Sequence, residues 1–202
     1  MNDSMSEPMS SIKEVSLRRA TVADAESIAK VRIESWLACY RGIIPDSYLD
    51  EMKLEDSVLH WRTILEALAV AGERICVFVA ESEGQIIGFA SGMLLPESKL
   101  GIEAELTALY LRPAWQRSGI GRRMLQKVAK VFQAQGVNNL LAWVISDNAA
   151  ARNFYEDLGG ALLREQDFNW DGLELKEAAY GWKDLSILMA SVHALPTSLA
   201  LH

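Results

Sequence analysis

Apolar and polar residues alternate over 15–19, the period of a half-buried strand. Thr21, with Asp24 three residues on, then makes a capping-box-like helix start. Ile28, Ile33, Trp36, Leu37 and Tyr40 recur at roughly helical spacing, and Gly42 and Pro45 are natural stops, so a helix is predicted to end near Tyr40. A second helical stretch begins near Asp46 or Leu54 and ends about Ala71, with Trp61, Leu65 and Leu68 on one face. Two apolar, β-rich runs over 75–80 and 85–94 flank the polar tip Glu81, Ser82, Glu83 and Gly84 and predict a hairpin. A third strand over 103–111 ends before Pro113, which holds Arg112 extended. Over 119–135, Ile120, Met124, Val128 and Phe132 or Val131 follow a helical period, with Gly136 in the position of a C-terminal cap. A strand over 140–145 and a helix over 148–158, stopped by Gly159 and Gly160, come next. Two strands over 161–170 and 177–182, joined across Asp171 and Gly172, complete the pattern.

This order is mixed α/β, or α+β, and fits neither a barrel of alternating units nor a doubly wound sheet. The chain has 202 residues and a mass of 22.4 kDa, enough for one domain with a sizeable core. One domain over 15–187 is expected, between a flexible tail over 1–14 and a second tail over 188–202. Half of the residues are apolar and 23% are charged, ordinary for a globular chain and too apolar for a disordered one. No apolar run approaches the ~18 residues of a membrane span, and the polar start has no basic-flanked apolar leader. A soluble, cytoplasmic protein with no membrane partner is expected. Cys39 and Cys76 are too few and too far apart for a disulfide framework or a metal site, so no metal is expected.

The net charge of -7 argues against nucleic acid as a partner. Its distribution changes the picture. No acidic residue stands between Glu105 and Asp147, where Arg112, Arg117, Arg122, Arg123, Lys127 and Lys130 supply six positive charges. A basic segment in an acidic chain points either to a local anion site or to a solvated basic helix face. Spacing decides between them. Gln116, Arg117, Ser118, Gly119, Ile120 and Gly121 sit where a strand ends and a helix begins, and small residues there let main-chain N–H groups approach a phosphate. Arg122 and Arg123 occupy the first helical turn, where the helix dipole disfavours cations unless an anion is near. The segment lacks the Lys-Ser/Thr of a mononucleotide loop, and Met124 replaces the third glycine of a dinucleotide fingerprint.

The segment resembles the R/Q-x-x-G-x-G/A motif of the GNAT superfamily of N-acetyltransferases. Three further stretches carry the same resemblance: ELTALYL ending at Leu111; the run from Ser146 with Asn148, Ala151 and Tyr155; and WLACYRGIIPDSYL ending at Leu49, which is similar to a substrate-side helix and loop. The resemblance implies a mostly antiparallel central sheet flanked by helices on both faces, and acetyl-CoA as co-substrate. It implies that Gln116, Arg117, Ser118, Gly119, Ile120, Gly121 and Arg122 bind the diphosphate. By the same resemblance, the backbone of Leu109, Tyr110 and Leu111 binds the pantetheine arm, and Asn148 and Tyr155 contact the cofactor. A lysine-like acceptor amine, with a pKa near ~10.4, is protonated at pH 7 and needs a base. The resemblance gives that role to Glu105, with Glu103 as the competitor on the same face, and proton donation to the departing thiolate to Tyr155. Ribosomal-protein acetyltransferases of the family carry a glutamate where this chain has Trp143, which weakens that substrate.

The expected reaction is direct transfer, in a ternary complex, to a primary amine of a small molecule or peptide, because neither cysteine has the signature of an activated nucleophile. The alternative is a non-catalytic acetyl-CoA-binding sensor or scaffold, against which Glu105 and Tyr155 both speak. A nucleotide or other anion binder is a third class. Trp36, Tyr40, Trp61 and Tyr110 either line an acceptor pocket or pack the core. The oligomeric state, a homodimer included, stays open.

Overall fold

The computed structural model describes residues 14–190. The expected tails over 1–14 and 188–202 lie outside them except for Glu14 and Leu188 to Ala190. The strands are β1 (Ser16–Arg19), β2 (Ile75–Ser82), β3 (Gln85–Lys99), β4 (Ile102–Leu111), β5 (Leu140–Ile145), β6 (Ala161–Trp170) and β7 (Leu173–Trp182). The helices are α1 (Ala25–Tyr40), α2 (Asp46–Asp50), α3 (Leu54–Ala71), α4 (Ile120–Gln133), α5 (Ala149–Asp157) and α6 (Ser186–Met189). The strands form one seven-stranded sheet in the order β1-β2-β3-β4-β5-β7-β6. Every neighbouring pair is antiparallel except β4 and β5. The mixed, mostly antiparallel sheet expected from the sequence is therefore the observed one.

Each face of the sheet buries a helix layer. On one face Met124, Leu125, Val128 and Phe132 of α4 pack with Cys76, Phe78, Ala80, Ala104 and Leu106, and a buried side chain of this size contributes about 1.5–3 kcal/mol. Gly92 admits α4 here, since a β-carbon on it would lie 2.6 Å from Val128 Cγ1. On the other face Ile28 and Val31 of α1 and Trp61 and Leu65 of α3 pack on Val77, Val79 and Phe89. Trp61, a candidate for the acceptor pocket, stands edge-on to Phe89 at 4.7 Å between ring centres and belongs to this core.

Some boundaries differ from the expectation, among them the end of β3, which runs on to Lys99 rather than 94. β7 starts at Leu173, four residues earlier than 177, because Leu173 and Leu175 alternate with polar residues whose partners lie across the strand. Asn169 Nδ2 donates to Glu174 Oε1 at 2.8 Å, and Gln166 Nε2 donates to Glu177 Oε1 at 2.8 Å. The turn between β6 and β7 has Asp171 at φ 50° and Gly172 at φ 87°, the conformation that matches the twist of a two-residue hairpin. The docked chain also runs beyond 187. Leu188 is buried in the α4 layer, and Gln126 Nε2 donates to its carbonyl at 2.5 Å.

Candidate active site

The site begins where two central strands part. β4 and β5 pair only at Glu105 with Leu141 and Leu106 with Ala142, although β4 runs on to Leu111 and β5 to Ile145. A bulge in β4 explains the divergence. The register against β3 slips between Ser91–Ala108 and Gly92–Leu106, leaving Thr107 extra, and an extra residue bends a strand and increases its twist. The Ser91 and Thr107 hydroxyls share a hydrogen bond of 2.6 Å at this point. The bulge also exchanges the faces. Ala104 and Leu106 point to the α4 layer before it, and Leu109 and Leu111 do so after it, while Ala108 and Tyr110 turn to the α1 side. Leu109, Tyr110 and Leu111 thus keep β3 on one edge and leave the edge facing β5 without a strand partner.

Glu105 stands at the vertex of this fork and is half-buried. Glu103 is exposed and two residues farther from the opening, with its N–H donating to Asn139 Oδ1 at 2.8 Å. The two carboxylates, equivalent by alternation, are separated by their distance from the fork.

Beyond Leu111 the chain turns through Pro113–Trp115 into the head of α4. Gln116 Nε2 donates to Leu111 O at 3.1 Å, and Ser118 Oγ donates to Trp115 O at 2.5 Å. Both contacts fix the loop. Arg117 has φ 59° and Gly119 φ 80°, two left-handed residues of the kind that make successive N–H groups converge on an anion. The first amide of the helix to bond back is that of Arg123, to Gly119 O at 3.2 Å. The N–H groups of Ile120, Gly121 and Arg122 are left open by helix geometry. Gly121 lies close under α5, a β-carbon there falling 3.4 Å from Phe154. Open amides, a positive helix end and no acidic residue from 106 to 146 fit a diphosphate.

The side chains of two arginines do not do what the sequence suggested. The Arg122 guanidinium donates to Ala190 O, and Arg123 Nη2 donates to Val15 O at 3.1 Å, so these cations hold main-chain carbonyls near the two ends of the described chain. Their place in the first turn is thereby accounted for without a ligand, and what Arg122 offers an anion is its backbone N–H.

Asn148 caps α5, its Oδ1 accepting from Ala151 N at 3.1 Å, and is 9% exposed. Its side chain also reaches the Tyr40 hydroxyl, which burial holds above the usual phenol range. Tyr155 is buried, with ring centres 5.4 Å from Phe154, 6.0 Å from Tyr180 and 5.8 Å from Trp182. Burial, then the charge of Tyr110, pushes its phenol well above the ordinary value, so it stays protonated at neutral pH. Tyr110, Tyr40 and Asn148 therefore meet Tyr155 at the fork.

The opposite wall is aromatic. Trp36 lies 5.0 Å from Tyr40 and 5.2 Å from Trp170 between ring centres, and Trp170 Nε1 donates to Tyr48 Oη at 2.7 Å. Trp170 and Arg32, whose guanidinium lies over Trp36, were not legible as site residues, whereas Tyr48 falls in the stretch ending at Leu49 that resembles a substrate-side loop. Tyr48 and Trp170 are 122 positions apart and have no local pattern; the i,i+4 spacing of Arg32 and Trp36 was the available signal. Trp143 stands half-buried with Leu141 and Leu163 on the same face. Neither thiol is activated: burial raises that of Cys39, and raises that of Cys76 to about 12. Among the described residues no group of His, Cys, Asp or Glu is arranged to hold a metal ion, and no helix is long and apolar enough to cross a membrane.

Comparison with known proteins agrees with this architecture. The model of the Acetyltransferase (GNAT) family matches residues 32–160, from α1 through the fork and both helix heads. The N-acetyltransferase YuaI of Bacillus subtilis, itself uncharacterised, is 35% identical over 175 residues, 86% of this chain and 96% of its own. A spermidine N(1)-acetyltransferase of Thermoplasma acidophilum is 24% identical over 149 residues, covering 70% of this chain and 84% of its own. Among solved structures, the PaiA N-acetyltransferase of Thermoplasma acidophilum in complex with coenzyme A superposes with a TM-score of 0.64 at 22% identity, over 82% of this chain and 98% of that one. The chain belongs to the GNAT family of acetyltransferases.

Proposed function

We propose that the protein moves an acetyl group from acetyl-CoA to a primary amine of a small molecule or peptide, directly within a ternary complex. The observation that carries this reading is the fork between β4 and β5, which opens beside the amide-lined turn at the head of α4. The turn from Gln116 to Gly119 and the open amides of Ile120, Gly121 and Arg122 would hold the diphosphate, and the free edge of Leu109, Tyr110 and Leu111 would bind the peptide-like arm by strand-type hydrogen bonds. Bound there, the co-substrate supplies an activated thioester carbonyl.

Glu105, at the vertex, takes the proton of the acceptor ammonium so that the neutral nitrogen attacks. Main-chain N–H groups of β4 polarise the carbonyl, a contribution typically worth about 3–4 kcal/mol. Tyr155, kept protonated by burial, donates a hydrogen bond to the departing sulfur. The proton lost by the nitrogen ends on the thiol. Two raised cysteine thiols favour transfer without an acetyl-cysteine. The sensor alternative has no observation in its favour, since the catalytic pair is present.

A panel of amines, polyamines, amino acids and N-terminal peptides, assayed for free thiol released from acetyl-CoA, tests the proposal. Amine-dependent release is expected, and intact mass spectrometry after acetyl-CoA alone should find no acetyl adduct. Binding of acetyl-CoA without release for any amine contradicts catalysis, and a stable acetyl-enzyme contradicts direct transfer.

A further inference from the structure

Arg32 is half-buried on α1 with its guanidinium carbon 4.6 Å from the centre of the Trp36 ring. Among the described residues it makes no hydrogen bond or ion pair. Other arginines of the chain are neutralised. Arg18 pairs with Asp24 and Glu81, Arg41 with Asp46 and Asp50, and Arg112 with Glu34. In a chain with 27 acidic against 20 basic residues, a carboxylate partner was available in composition and is missing in space.

The groups that face Arg32 are Tyr110 of β4, Tyr48 of α2, Tyr40 of its own helix and His60 of α3. None is a carboxylate. Burial holds the guanidinium below its ordinary value, as expected where a charge is desolvated without a counter-ion. The same wall offers no counter-charge elsewhere: Trp36 is 3% exposed, and the polar group its indole reaches is the neutral Tyr110 hydroxyl. A half-buried cation without a counter-ion is costly, and it repels a second cation. Both features suit an oxyanion, which accepts from the guanidinium.

We infer that the acceptor amine carries a carboxylate, which Arg32, seated on Trp36, binds at the aromatic wall while the amine reaches toward the fork. This rests on the acetyl-transfer reading and narrows it, since polyamines would meet a like charge. The aromatic surround displaces water, which strengthens the contact between guanidinium and carboxylate.

The test uses matched acceptors: amino acids, their carboxamides, their decarboxylated amines, and spermidine, each assayed for thiol release with acetyl-CoA. The carboxylate member of each set should be preferred in kcat/KM by about 10–100-fold, the range of a charge-assisted contact. Arg32→Gln should erase that preference, mainly through KM, with acetyl-CoA affinity and thermal midpoint unchanged, and Arg32→Lys should restore part of it. Equal or better use of carboxamides or spermidine overturns the inference while leaving acetyl transfer standing. So does an Arg32→Gln variant that slows every acceptor alike, or a wild type that turns over amines but none with a carboxylate. Loss would lie instead with the proposed function if the wild type failed to bind acetyl-CoA in calorimetry.

Discussion

Tyr155 and Glu105 differ in how their surroundings prepare them. Tyr155 is buried among three aromatic rings, and its proton is held tightly. Tyr155→Phe keeps that packing and removes only the hydroxyl, so turnover should fall about tenfold or more with little change in the cofactor's dissociation constant. Equal turnover in steady-state assays would leave Tyr155 a packing residue. Glu105 stands at the vertex of the fork. Glu105→Gln should lower the rate about 100-fold near neutral pH and recover it as pH rises, where the amine loses its proton unaided. A rate profile parallel to the wild type would move the base to Glu103 or to water. At this scale the sequence showed the residues whose types carry chemistry in a compact motif. It could not show Arg32, Tyr48 and Trp170 as one wall, because what joins them is a fold-back of the β6–β7 hairpin onto α1 and α2. It also could not show the main-chain partners of the Arg122 and Arg123 side chains, which lie 68 and 108 residues away.

Among the elements, periodicity located every strand and long helix to within a few residues, since each buries one face. The bulge at Thr107 was not legible, because the apolar run from Ala108 to Leu111 hides which face each side chain takes, and the slip is imposed by pairing with Ser91 and Gly92. Yet the bulge opens the site. The junction of β1 and α1 was foreshadowed by Thr21 and Asp24. Asp24 Oδ2 accepts from Thr21 N at 2.8 Å, and the carboxylate receives Arg18 Nη1 and Nη2 at 2.8 and 2.9 Å. The Arg18 hydrogen bonds hold the Asp24 carboxyl below its usual range. A depressed carboxylate adds stability above its unfolded pKa of about 3.9, and that stability is lost as pH falls through the folded value. Asp24→Asn should therefore cost about 1–3 kcal/mol at pH 7, and the gap to wild type should close as pH falls below about 4. Thermal melts across pH check this; a gap constant with pH would assign the loss to packing.

Over the whole molecule, one sheet does two jobs. Its α4 face builds the main core and presents the head of α4, while its α1 face carries the aromatic wall, and the fork joins the two faces. Charge follows this division: the acid-free segment from 106 to 146 contains the turn and α4, and the remainder of the chain is strongly acidic. Such segregation would let an anionic cofactor approach the head of α4 on a protein of net charge -7. The most direct measurement is calorimetric titration of acetyl-CoA into wild type and Gly119→Val. Gly119 has φ 80° with open space around its β-position, so valine strains the turn by about 1–2 kcal/mol without meeting a neighbour. Saturable binding in the wild type, lost in the variant while its circular dichroism is unchanged, is the predicted result. Equal affinity in both proteins would contradict the assignment of the diphosphate to the head of α4.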